Sequence, residues 1–209
     1  MGVEIVSMKK LLALIFAIIG WFAVIGQFIL MMENRVAPLL ETCIRFFSFF
    51  TILTNGLVAI YFTLSYFNNR NKLIAIKEPG TLTAMTVYIT VVGLVYQVVL
   101  RQLWQPQGLQ WVVNELLHTL IPILVILFWY LYENKSPIKY TAILKWLIYP
   151  LIYLIYILIR GRYSGFYPYP FVDVSQLGLS KVLINSAVLL VIFAGLSALF
   201  IRVGKFIKT

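Results

Sequence analysis

Six runs of apolar residues, each about 20 long, constrain this 209-residue chain more than any other feature it has. They cover roughly 11–32, 44–67, 81–101, 112–132, 141–159 and 181–202. A helix of about 20 residues is what crosses a hydrocarbon core of about 30 Å. Residues are 62% apolar and only 11% charged, too few polar groups to cover a water-soluble exterior. The reading is an all-α, polytopic transmembrane bundle of six helices forming one domain over 1–209.

The net charge of +10 does not point to nucleic acid, because the 17 Lys and Arg are scattered between apolar runs without a continuous basic stripe. With one Cys and one His the chain has no cluster spaced to hold zinc or iron, and the reading calls for no cofactor. The first run follows Lys9 and Lys10 but ends at Met31-Met32-Glu33 with no small-residue cleavage site, so it reads as a retained span.

Cytoplasmic loops keep an excess of Lys and Arg. With the N-terminus inside, the inner set is Lys9, Lys10, Arg70, Lys72, Lys77, Lys135, Lys139, Lys145, Arg202, Lys205 and Lys208, or 11. The outer set is Arg35, Arg45, Arg101, Arg160, Arg162 and Lys181, or 6. Both termini are therefore expected in the cytoplasm, and the membrane is expected to be the plasma membrane.

Polar groups inside spans are costly in hydrocarbon, so they turn inward and are the first candidates for function. At 3.6 residues per turn, Arg45, Ser48, Thr51 and Asn55 form one stripe on a continuous second helix. Thr83, Thr86, Thr90, Gln97 and Arg101 form another on the third, and Asn114, Glu115, His118, Thr119 and Pro122 share a face of the fourth. Counted from the expected span starts, Thr51 lies about 10 Å deep and His118 about 9 Å, entering from the same side. A polar chamber at the outer leaflet follows, lined by Arg45, Ser48, Thr51, Asn55, Gln97, Arg101, Asn114 and His118, with Asn185 at its edge. Ser, Thr and Asn in membrane helices also serve simply as interhelical hydrogen bonds, and Arg near span ends snorkels to headgroups. A lone His more than a turn inside a span is harder to explain that way.

The run Tyr163-Ser164-Gly165-Phe166-Tyr167-Pro168-Tyr169-Pro170-Phe171 is aromatic and proline-stiffened. It reads first as an interfacial anchor loop, since Tyr collects at membrane interfaces. The second reading is a lid over the chamber, with Asp173 paired to Arg160 or Arg162.

The segment Asn114-Glu115-Leu116-Leu117-His118-Thr119 with Pro122, beside a second span opening Arg45-Phe46-Phe47-Ser48-Phe49-Phe50-Thr51, resembles the androgen-induced-gene-type (FAR-like) family of six-helix membrane hydrolases. The stretch from Arg160 to Asp173 looks more like a bacterial branch of six-helix membrane proteins. The resemblance implies an intramembrane threonine hydrolase that cleaves fatty acid esters of hydroxy fatty acids. It makes Thr51 the nucleophile and His118 its partner, with Thr54 the competing nucleophile. Asn55 or Asn114 could then donate to an oxyanion, and Arg45 or Arg101 could hold a lipid carboxylate.

That pairing carries a geometric condition: the Thr51 hydroxyl should lie within about 4 Å of a His118 ring nitrogen. The alternatives are a non-catalytic lipid-binding protein, a small-solute transporter or a regulatory membrane subunit. Membrane lipids are the expected partners in each case. A transporter more often shows repeat symmetry, which this sequence lacks.

Overall fold

The computed structural model describes residues 2–67 and 78–207. The connection from Asn68 with Arg70, Lys72 and Lys77, and Lys208 near the C-terminus, lie outside the described residues. These residues form helices without a strand: α1 (Gly2–Glu33), α2 (Leu39–Phe46), α3 (Phe50–Phe67), α4 (Thr81–Leu100), α5 (Gly108–Tyr132), α6 (Ala142–Ser164) and α7 (Leu179–Phe206). All but α2 supply a segment long and apolar enough to cross a membrane, the architecture of a multi-pass membrane protein. Their many exposed Leu, Ile, Val and Phe side chains have lipid as their natural solvent.

Two helices pack against each other along most of their length, α1 and α3. Lipid competes for apolar side chains, so close helix approach rests on small residues. On α1 these are Ala13, Ala17, Gly20 and Ala23, on one buried face. A Cβ placed on Gly20 would lie 3.0 Å from the Cβ of Ala59 on α3. Phe16, Phe62 and Phe128 then join α1, α3 and α5 through edge-to-face rings. On α4, Trp129 of α5 donates its indole N–H to Thr83, while Thr86 and Thr90 donate to carbonyls one turn back. That stripe serves the helices themselves.

The expected second span breaks. Phe47, Ser48 and Phe49 are not helical, so Arg45 belongs to the short α2, Ser48 to a turn, and Thr51 to the first turn of α3. The Ser48 hydroxyl donates to the Ile44 carbonyl and lies 3.1 Å from the Tyr156 hydroxyl, while its own carbonyl accepts from Tyr153. These bonds let the chain leave the helix where no Pro or Gly marks the exit. The helix starts from which the depths of Thr51 and His118 were counted are corrected too: α5 begins at Gly108, so His118 sits ten residues in, while Thr51 sits one residue into α3.

Both α4 and α5 carry a π turn, Tyr96–Leu100 and Leu116–Leu120. The amide of Arg101 reaches the carbonyl of Tyr96, and that of Ile121 the carbonyl of Leu116, each five residues back. Pro122 has no N–H to continue that register. The carbonyl of Leu117, left without it, accepts from the Asn55 side chain at 3.3 Å. Gly93 lets α4 approach this place, since a Cβ there would stand 3.1 Å from the His118 carbonyl.

The glycine contacts give a paired expectation. Gly20→Ala should lower the unfolding midpoint in detergent, overpacking of this kind costing about 1–3 kcal/mol. Gly56→Ala, on the same helix pair but with open space around it, should be neutral or stabilising by up to about 1 kcal/mol. Equal effects would contradict close α1–α3 packing.

Candidate functional site

At the end of the bundle where α3 begins, a cavity of about 590 Å³ lies between α1, α2, α3, the π turns and the loop after α6. Of the nine residues expected around a chamber, Arg45, Thr51, Asn114 and His118 line it. The other five do not. Ser48 holds the turn as described, and Asn55 bonds to the carbonyls of Thr51 and Leu117. Gln97 donates to Thr119, Arg101 donates to Gln97 and pairs with Glu115, and Asn185 donates to the Phe171 carbonyl. Hydrogen bonding between neighbours accounts for all five.

Thr51 and His118 meet across the cavity wall, with Oγ1 3.4 Å from Nε2. The other ring nitrogen, Nδ1, lies 3.0 Å from the carbonyl of Asn114. A carbonyl only accepts, so the Nδ1 proton is fixed there and Nε2 is left as the acceptor facing Thr51. The ring stacks on Tyr96 with centroids 4.2 Å apart, and Tyr96 accepts from the Asn114 amide at 2.6 Å. Both π turns thus contribute, one the imidazole and one the ring beneath it, as π turns often do at functional sites.

Thr54 is one turn away and faces elsewhere, its hydroxyl 3.2 Å from that of Tyr149. Both amide hydrogens of Asn55 are taken by carbonyls, while Asn114, which lines the cavity, gives one of its two to Tyr96.

The residue that sequence reading missed is Tyr169. Its hydroxyl accepts from the Thr51 amide at 3.2 Å and lies 3.2 Å from Thr51 Oγ1. A tyrosine buried at a helix N-terminus answers an amide that has no carbonyl within the helix. Burial pushes the phenol above its ordinary pKa, so the proton stays on as a donor. An ordered chain results: Tyr169 O–H to Thr51 Oγ1, Thr51 O–H to His118 Nε2, His118 Nδ1–H to the Asn114 carbonyl. The available signal was proline on both sides of Tyr169, which stiffens the chain around one side chain.

Tyr169 sits in the loop read first as an interfacial anchor. Instead the loop folds back over the cavity, which Phe166, Pro168, Tyr169 and Pro170 help line. Gly165, at φ 68°, ends α6 in the left-handed conformation that turns the chain. The Tyr167 ring then lies on Gly161, where an added Cβ would come within 2.0 Å of it. Phe166 sits between two cations, 4.5 Å from the Arg45 guanidinium and 5.0 Å from that of Arg160. Both arginines pair with Glu41, at 2.7 and 2.8 Å. Asp173 is therefore not the partner of Arg160; it caps the short helix Val174–Leu177 through the amides of Ser175 and Gln176.

No family model, no curated protein and no solved structure matches this chain.

The hydrogen bonds from Arg45 and Arg160 hold the Glu41 carboxyl below its ordinary pKa. With the folded value depressed, the clasp contributes fully above the ordinary carboxylate range and is lost as pH falls through the lowered value. The unfolding midpoint in detergent should therefore drop on acidification below the ordinary range more in the native protein than in Glu41→Gln. Identical pH profiles would show that the clasp contributes nothing.

Proposed function

We propose that the protein is an intramembrane threonine hydrolase acting on lipid esters, fatty acid esters of hydroxy fatty acids being the class implied by its resemblance to the androgen-induced-gene-type family. The observation that carries this reading is the contact of 3.4 Å between Thr51 Oγ1 and an imidazole nitrogen whose opposite nitrogen is committed to a carbonyl. A buried Thr–His contact alone could be structural. The directed chain of three hydroxyl and imidazole groups beside an open cavity favours chemistry over packing.

The steps balance with protein groups and one water. His118 Nε2 takes the Thr51 proton as Oγ1 attacks the ester carbonyl, then returns it to the departing alcohol. The acyl group is left on Thr51. Water then attacks, giving its proton to His118, which passes it back to Thr51 as the carboxylic acid leaves. Negative charge on the carbonyl oxygen develops at the start of α3, where the helix dipole is positive. The Tyr169 O–H is the donor beside Thr51 Oγ1, and it can rotate from that hydroxyl to the carbonyl oxygen. The Lys and Arg count of 11 against 6 supports cytoplasmic termini, which sets Thr51 toward the outer leaflet of the plasma membrane.

Hydrolysis of lipid esters by the purified protein tests this. Thr51→Ala and His118→Ala should each lose about 10²–10⁴-fold in rate, the range for removing a nucleophile–base partnership. Tyr169→Phe should lose about 10²–10³-fold, as for one oxyanion donor. Thr54→Ala should stay within a few-fold of the native rate. Full activity in Thr51→Ala would sink the mechanism, and ester binding without turnover in any form would leave a lipid-binding protein.

A further inference from the structure

Thr51 and Tyr169 line a second cavity as well, on the far side from His118. It has a volume of about 80 Å³ and lies between α3, α4, α6 and α7. Its walls are apolar, with Val91, Val95, Leu154 and Leu190 among them. The polar side chains facing it are already engaged: the Ser186 hydroxyl donates to the Val182 carbonyl and the Tyr153 hydroxyl to the Ser48 carbonyl. The larger cavity is also mostly apolar, but its lining includes Gln27, Asn34, Arg35, Arg45 and Gln110, which give an alcohol arm polar groups to meet. Thr51, Tyr169 and Leu100 thus form the wall shared by two spaces of unequal size.

An ester has two arms, and the proton path says which goes where. The leaving alcohol oxygen must receive its proton from His118, and His118 borders only the larger cavity. The alcohol arm therefore lies there, and the acyl arm, which stays on Thr51, extends the other way. A cavity of 80 Å³ is about half the size of one that holds benzene, room for a few carbons. We infer that the substrate is a short-chain acyl ester of a bulky amphiphilic alcohol, its acyl arm seated between α4, α6 and α7 and its polar alcohol in the larger cavity. This rests on the hydrolase reading at Thr51 and His118 and departs from the class that the family resemblance implies, since a fatty acyl arm is too long for the smaller cavity. It also orders the cycle: bond formation at Thr51 Oγ1 and cleavage of the alkoxy bond release the alcohol into the larger cavity. That cavity then admits the water that His118 deprotonates.

A p-nitrophenyl ester series from acetyl to dodecanoyl tests the inference with the full-length protein in detergent. We expect kcat/KM to rise about fourfold per methylene while the small cavity fills. Beyond about five carbons it should fall at least tenfold by octanoyl, once the cavity of a size known to hold only small ligands is full. Leu190→Trp should move the optimum to acetyl, and Leu190→Ala should move it to longer chains. Uncleavable methyl alkyl ketones of the same lengths should raise the unfolding midpoint with the same cutoff. A rate and a midpoint that keep rising through dodecanoyl, or a profile unmoved by both Leu190 variants, would overturn the two-cavity assignment while leaving Thr51 chemistry standing. A ketone cutoff that shifts with Leu190 in a protein that hydrolyses nothing would support the partition and overturn the hydrolase reading.

Discussion

The amides at the start of α3 have no carbonyl above them within their own helix, and at membrane depth an unmet N–H costs several kcal/mol. Everything at this end of the bundle follows from how that need is met. The Thr51 amide goes to the hydroxyl of Tyr169, which requires the loop after α6 to turn back into the bundle. The loop can do so because Gly165 turns it, Gly161 leaves room for Tyr167, and the Glu41 clasp pins Phe166 between two guanidinium groups. A backbone requirement thus recruits a phenol to the one threonine hydroxyl that also touches the imidazole.

The site's polarity is concentrated by the same economy. Most polar side chains in the spans close local bonds: Thr86, Thr90, Ser186 and Ser197 donate to carbonyls four residues back. At the opposite end, Glu133 takes the Gly80 amide and the buried Lys135 takes carbonyls of Tyr130 and Glu133. Those contacts fix helix ends. His118 and Thr51 stand apart because their contact borders a cavity.

The helix number was legible because apolar length is a bulk property that survives errors of several residues at each end. The meeting of Thr51 and His118 was legible only through paired motifs, and the depth argument offered for it was wrong in detail. Phe47-Ser48-Phe49 breaks the helix without Pro or Gly, through hydroxyl and carbonyl bonds to Tyr153 and Tyr156 that are 105 and 108 residues distant in sequence. No local pattern records such a partner. Tyr169 was hidden for a different reason: tyrosines at span ends usually report the interface, and burial is decided by the fold around them. Pro122 did carry a readable signal, since a helix that loses an amide must send the orphaned carbonyl elsewhere.

A π turn holds one residue more than an α-helix needs over the same stretch. Excising a single residue from Leu116–Leu120 would turn that stretch into regular α-helix with both halves of α5 nearly in place, still able to span, yet with the residues inside the turn, the imidazole among them, moved to new angular positions. Insertion into the bilayer reads total length, while the imidazole reads angular phase. The chain therefore stores its architecture and its chemistry in two separable quantities, so that one could be erased by a one-residue deletion that the membrane would not notice.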